Sequence, residues 1–254
     1  MNLLIDAHAH LDDKAFESDL DQVIDNAKAA GVKAIICCGL NAESNKKILE
    51  LSKQYDLIKP AFGVYPIDTK ELTQEQEKEF FDFVLENKPI AIGEVGLDYH
   101  WEKDQANKEK QKEFFKKAIE FAEKNNLPMS IHSRNAEEDT IQILESANLK
   151  NIKNKIIMHC FGGNSSQTKK VIENGWSFSV PTNIVRSQHF QNIVKQAPIT
   201  QILTETDCPY LAPEKDQRNE PAFVAKSIKK IAEIKGMTKE DATNNIFMNY
   251  QRIF

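Results

Sequence analysis

Short apolar runs recur along the chain, separated by charged stretches with helical spacing. The runs fall at residues 3–5, 34–38, 60–64, 89–92, 127–131, 156–158, 176–180 and 202–203. Most are apolar almost throughout, the pattern of parallel strands covered on both faces. Among the intervening segments, residues 105–126 are the clearest helix. There Phe114, Phe115, Ala118, Phe121 and Ala122 form one apolar stripe among lysines and glutamates. Gly31 and Gly175 stand where helices should stop before the next strand. Eight strand candidates alternating with helices predict an α/β protein with a (β/α)8 TIM barrel.

An open doubly wound sheet would show the same alternation. However, no glycine-rich dinucleotide fingerprint follows the first strand. The chain has 254 residues, close to the length of one barrel of about 250. Neither an internal repeat nor a Gly/Ser linker divides it, so one domain over 1–254 is expected. The net charge of −5 argues against a broad basic surface for long nucleic acids. Any attraction for phosphate must then be local. No apolar stretch approaches the roughly 18 residues of a membrane span. The start, MNLLIDAHAH, lacks the basic residues and long apolar run of a secretory signal. Cys37 and Cys38 are adjacent, Cys160 and Cys208 are isolated, and no Cys-x-x-Cys pair occurs. They read as buried free thiols of a cytoplasmic protein. Without an exposed apolar stripe to demand a partner, a monomer is expected.

The residues at the strand ends carry the chemistry. The first strand runs into Asp6-Ala7-His8-Ala9-His10, and alternation points His8 and His10 to one side. Later strands end in Glu94 through Asp98, in His132-Ser133-Arg134, in His159-Cys160 and in Glu205-Thr206-Asp207. Each signal alone has a bland reading, since a His-x-His pair or a terminal carboxylate is common at a strand end. Yet four of only six histidines, with Glu94 and Asp207, converge on the rim where barrel enzymes place their chemistry. His189 reads as surface and His100, beside Trp101, as surface or pocket wall. The set suits two divalent ions, with His8, His10 and Asp207 on one, His132 and His159 on the other, and Glu94 bridging. Two such ions against two carboxylates leave a local surplus of about two positive charges, enough to attract a phosphodiester. Paired ions activate water and stabilise both oxygens of a displacement. Imidazole-rich ligation accommodates zinc, iron or manganese as well as magnesium.

The blocks HAHLD, AIGEVGLDYH, LPMSIHSRNA, MHCFGG, TETDCPYLAP and RNEP resemble the TatD family of metal-dependent deoxyribonucleases, in order from Asp6 to the C-terminus. The resemblance implies a (β/α)8 barrel, a two-metal site and 3′–5′ exonuclease action on DNA ends with magnesium. It also implies that His8, His10, Glu94, His132, His159 and Asp207 are metal ligands, the set reached above from strand ends. Tyr65 departs from the family, which usually has a histidine there. A tyrosine hydroxyl can donate to phosphate but cannot become cationic. The segment between Pro213 and Arg218 is also shorter than usual in the family.

Asp207 is further read as the base that takes a proton from the attacking water, with Glu94 the other catalytic carboxylate. Glu205, two positions before Asp207, is read as orienting its neighbours. Arg134 and Arg218 are candidate phosphate forks, though Arg218 could equally anchor a loop. Trp101 and Tyr99 offer flat faces to a terminal base. A different class of activity uses the same activated water on a carbonyl or ester, such as the deacylation of charged tRNA. A third reading is a non-catalytic metal-holding barrel, supported only by Tyr65.

Overall fold

The computed structural model describes residues 3–254; Met1 and Asn2, the first two residues of the predicted domain, lie outside the described residues. Eight strands form one sheet in chain order: β1 (Leu4–Ala9), β2 (Val32–Cys38), β3 (Ile58–Phe62), β4 (Ala91–Asp98), β5 (Met129–Arg134), β6 (Ile156–His159), β7 (Ser177–Val180) and β8 (Ile202–Thr204). Every neighbouring pair from β1–β2 to β7–β8 is parallel. Helices α1 (Leu20–Ala30), α2 (Ala42–Gln54), α3 (Gln74–Asn87), α4 (Gln105–Asn125), α5 (Glu137–Ser146), α6 (Ser165–Glu173), α7 (Gln188–Gln196) and α8 (Val224–Lys235) each follow a strand. A further helix, α9 (Lys239–Ile253), packs on β1 and β8. The architecture is a (β/α)8 TIM barrel.

Local chemistry sets the element ends. Helix α1 stops at Gly31, whose φ of 94° lets its amide reach the carbonyls of Ala27 and Lys28. Asn41 starts α2 by accepting from the amides of Glu43 and Ser44. The predicted helix over 105–126 ends one residue early, because Asn126 adopts the left-handed conformation, φ 55°, and caps it.

The barrel closes between its last and first strands. The His10 amide donates to the Cys208 carbonyl at 3.0 Å and the Asp207 amide to the His8 carbonyl at 2.9 Å. Just below, the buried Asp6 carboxylate accepts from the amide and hydroxyl of Thr206 at 2.9 and 2.6 Å. Most of the apolar core lies in one continuous cluster that includes Phe62, Phe115 and Trp176. Two smaller clusters, one around Ile157 and Leu203 and one around Ile36 and Ala61, are both covered by Tyr250 and Phe254.

Two glycines bring strands close where the site is built. A Cβ on Gly96 would lie 2.1 Å from the His132 carbonyl oxygen, and Gly96 has φ +146°. A Cβ on Gly63 would lie 2.3 Å from both the backbone nitrogen and oxygen of Glu94. Neither contact leaves room for a side chain.

Candidate metal centre

Six side chains from five strand ends meet at one mouth of the barrel. The Nε2 atoms of His8 and His10 are 3.2 Å apart. Glu94 Oε2 lies 3.3 Å from His8 Nε2 and 3.5 Å from His10 Nε2. Asp207 Oδ1 lies 3.3 Å from His10 Nε2. The other Glu94 oxygen, Oε1, touches His132 Nδ1 and is 3.9 Å from His159 Nε2. Donor atoms of His8, His10 and Asp207 all fall within 4.8 Å of one another, as do those of Glu94, His132 and His159. The two oxygens of Glu94 thus face different histidine pairs, an arrangement a bridging carboxylate requires.

Each imidazole is held from behind. His8 Nδ1 meets Ser130 Oγ at 2.9 Å, and His10 Nδ1 meets the Cys38 carbonyl at 2.9 Å. His132 Nε2 lies 3.1 Å from Asp98 Oδ2, and His159 Nδ1 lies 2.8 Å from Glu205 Oε2. A ligating histidine gives its second ring N–H to such a partner, which fixes its tautomer and ring orientation. A third trio, His8, His159 and Glu205, is also compact. There the carboxylate already serves the outer nitrogen of His159, the Cys160 amide at 3.0 Å and the Ser179 hydroxyl. Glu205 is thus taken up by His159 and its neighbours rather than facing the space between the other donors.

The electrostatics follow from packing carboxylates against imidazoles in a buried cluster. Burial, reinforced by His159, pulls His8 down to about 4, leaving the neutral imidazole that a metal needs. Burial would also lower His159, but the charges of Glu205 and Asp207 prevail and push it up to about 9. Burial would raise Glu94, yet His132 and the neighbouring histidines hold it well below the usual range. Four imidazoles and two carboxylates compose a donor set suited to zinc, iron, manganese or magnesium. When bound, such ions would polarise a phosphoryl or carbonyl oxygen and make water acidic. The backbone at Cys160 and Asp207 has φ of 41° and 55°. Positive φ in non-glycine residues just after β6 and β8, at two of the strand ends that build the cluster, is the kind of strain found at functional sites.

The cluster opens into a cavity of about 730 Å³ lined in part by Tyr65, Trp101, Arg134 and Tyr210. Tyr65 does not offer its proton to this space: its hydroxyl donates to Asp98 Oδ2 at 2.9 Å while its ring packs edge-on against His132. Burial would raise Asp98, but His132, the Trp101 amide and Tyr65 hold it at about 2. The sequence reading gave Asp98 no role. Strand alternation would have found it, since Glu94 and Asp98 are four positions apart on β4 and share a face.

Arg218 is corrected as a phosphate fork. Its guanidinium is committed to Asp19 through contacts of 2.8 and 2.6 Å, donates to the Ala15 carbonyl and lies over the Phe16 ring. It anchors the segment before α1. Tyr99 is likewise engaged, donating to Asp139 at 2.8 Å with Lys108 over its ring. His189, read as surface, is exposed, and its ring donates to the Phe161 carbonyl at 2.9 Å. The charge sum also changes, because Asp98 and Glu205 cancel the surplus positive charge that two ions would leave. Asp12, Asp13 and Glu137 on the cavity wall outweigh Arg134, so the mouth is no funnel for a long polyanion.

Comparison with known proteins agrees with this geometry. The family model described as TatD related DNase matches residues 5–254. The chain is 36% identical over 256 residues to the uncharacterized metal-dependent hydrolase YabD of Bacillus subtilis strain 168, covering 99% of each chain. It is 34% identical over 262 residues to deoxyribonuclease TATDN3 of Homo sapiens, covering 99% of this chain and 94% of that one. The crystal structure of the TatD homologue YJJV from Escherichia coli K12 shares the fold, with a TM-score of 0.88, 24% identity, and coverage of 99% of this chain and 97% of that one. Six converging donors and a match over nearly the whole chain lead to one conclusion: this protein belongs to the TatD related DNase family and is a metal-dependent hydrolase.

Proposed function

We propose that the protein is a divalent-metal-dependent deoxyribonuclease that removes nucleotides from a DNA end, in the 3′–5′ direction, as a cytoplasmic monomer. The observation that carries this reading is Glu94, whose two oxygens face separate histidine pairs, His8 with His10 and His132 with His159, around one cavity. His8, His10 and Asp207 would hold one ion, and His132 and His159 the other, with Glu94 between them. The ions would supply Lewis acidity at the phosphoryl group and lower the pKa of water.

The chain's own residues do the rest. Asp207 is 16% exposed at its side chain against 4% for Glu94. It is therefore the carboxylate that can reach water in the cavity and accept its proton as the P–O bond breaks. Glu94 stays ionised between the histidines and holds the trios in register. Arg134, exposed on the cavity wall, is placed to fork onto a phosphate oxygen. The acidic mouth favours a substrate that offers one terminus over a strand lying across the surface. The four free cysteines support a reducing compartment.

The test is degradation of a 5′-labelled single-stranded oligonucleotide with magnesium or manganese. Wild type should give a ladder shortened from the 3′ end, and His132→Ala should lose it. Equal degradation by both proteins would refute the assignment. A second reading, hydrolysis of an ester such as an aminoacyl end, draws on the same acidic wall. Asp12, Asp13 and Glu137 on that wall would attract a substrate ammonium. Release of the amino acid from charged tRNA, without shortening of DNA, would decide for it.

A further inference from the structure

Trp101 and Tyr210 are the large aromatic side chains left strongly exposed among the described residues, at 65% and 59%. Both line the cavity above the metal centre. Aromatic rings kept in water at a ligand cavity, when the other Phe, Tyr and Trp rings of the described residues are buried or half-buried, point to a flat ligand. Trp101 follows β4 and Tyr210 follows β8, which lie on opposite sides of an eight-stranded ring. The two rings therefore flank the mouth rather than cover one another. Arg134, a cavity-lining cation with no ion pair among the described residues, has its guanidinium 5.5 Å from the Trp101 ring centre. The Trp101 amide donates to Asp98 at 2.9 Å, so the loop bearing the ring is tied to the residue that holds His132. Ring, cation and metal centre thus form one connected unit.

We infer that Trp101, with Tyr210 across the mouth, forms a subsite that stacks the terminal nucleobase of single-stranded DNA while Arg134 takes the adjoining phosphate. The inference rests on the proposed nuclease reading and specifies which substrate end it takes. Stacking tolerates any base, because every base has a π face. It requires that the base be out of a duplex, so frayed or single-stranded ends are the substrates.

Two measurements test it. The only other tryptophan, Trp176, is buried, so ligand-dependent fluorescence reports on Trp101. Deoxyadenosine monophosphate should quench that fluorescence saturably and 2-deoxyribose 5-phosphate should not; Trp101→Ala should abolish the quench. In the kinetic arm, the substrates are an oligonucleotide with an ordinary 3′ end and the same strand ending in an abasic tetrahydrofuran unit. Wild type should favour the ordinary end about tenfold in kcat/KM, the effect of one lost base–aromatic stack. Trp101→Ala should bring the ratio near one, and Trp101→Phe should keep most of it. Hydrolysis of both ends at equal rates, with no base-dependent quench, would overturn the subsite and leave the nuclease reading standing. No hydrolysis of either strand would overturn the nuclease reading, and the quench alone would then decide the subsite.

Discussion

Nε2 of His132 lies 3.1 Å from Oδ2 of Asp98, and this contact decides which ring nitrogen faces the cluster. With its proton on Nε2 held by Asp98, the ring would leave Nδ1, the nitrogen on the Glu94 side, to give its lone pair to a cation. Asp98 also accepts from the amides of His100 and Trp101 and from the Tyr65 hydroxyl. One carboxylate therefore fixes a histidine, a tyrosine and the start of the following loop.

Asp98→Asn should weaken metal binding by about 10–100-fold, the usual cost of removing a partner that orients a ligand. Calorimetric titration with manganese should show the weaker of two sites lost first, while far-ultraviolet circular dichroism stays unchanged. Tyr65→Phe should cost far less, because Asp98 keeps its other three donors. If the two variants bind metal equally well, Asp98 does not orient His132.

Adding zinc or manganese to chelated protein should raise its melting temperature. An ion at a hundred times its dissociation constant stabilises the folded state by about 2.7 kcal/mol. In a chain of this size that is a shift of about 5–10 °C. The shift should grow with metal concentration, reverse with chelator and shrink in His8→Ala. A melting temperature indifferent to metal would mean that the cluster takes none.

Gly96→Ala and Gly236→Ala separate backbone strain from steric clash. Gly236 has φ +63° with nothing within 4 Å of a new Cβ, so its substitution should cost about 1 kcal/mol. Gly96 has the His132 carbonyl 2.1 Å away, and its substitution should cost about 3 kcal/mol or more. Denaturant unfolding of both variants checks the contrast.

Glu123 on α4 accepts from the amides of Asn151 at 2.8 Å, Lys150 at 3.0 Å and Ile152 at 3.2 Å. Burial would raise this carboxyl, but the three amides hold it below its ordinary value of 4.5. Its stabilisation is complete above that value and is lost as pH falls through the lower, folded-state one. Glu123→Gln should therefore cost about 1 kcal/mol at neutral pH, a figure discounted for solvent screening. The gap should close below pH 4.5. Unfolding curves at several pH values measure it.

The strand ends were legible because parallel strands are apolar runs and their last side chains break that pattern. His8, His10, Glu94, His132, His159 and Asp207 each stand out against an apolar run, and barrel geometry alone brings them to one rim. The partners behind them were harder to read. Tyr65 meets Asp98 from 33 positions away, and Arg218 meets Asp19 from 199 away. No local period encodes either meeting. Tyr210 went unnoticed for a related reason: a lone aromatic in a loop looks the same in sequence whether it is buried or left in water.

The seam of the barrel has one more consequence. His8 and His10 leave the first strand and Asp207 follows the last, so this trio straddles the line where the sheet joins itself. A cation seated there would act as a clasp, riveting together segments about 200 positions apart. Chelation would then leave the join to its hydrogen bonds alone, so the same ion would supply the chemistry and brace the wall.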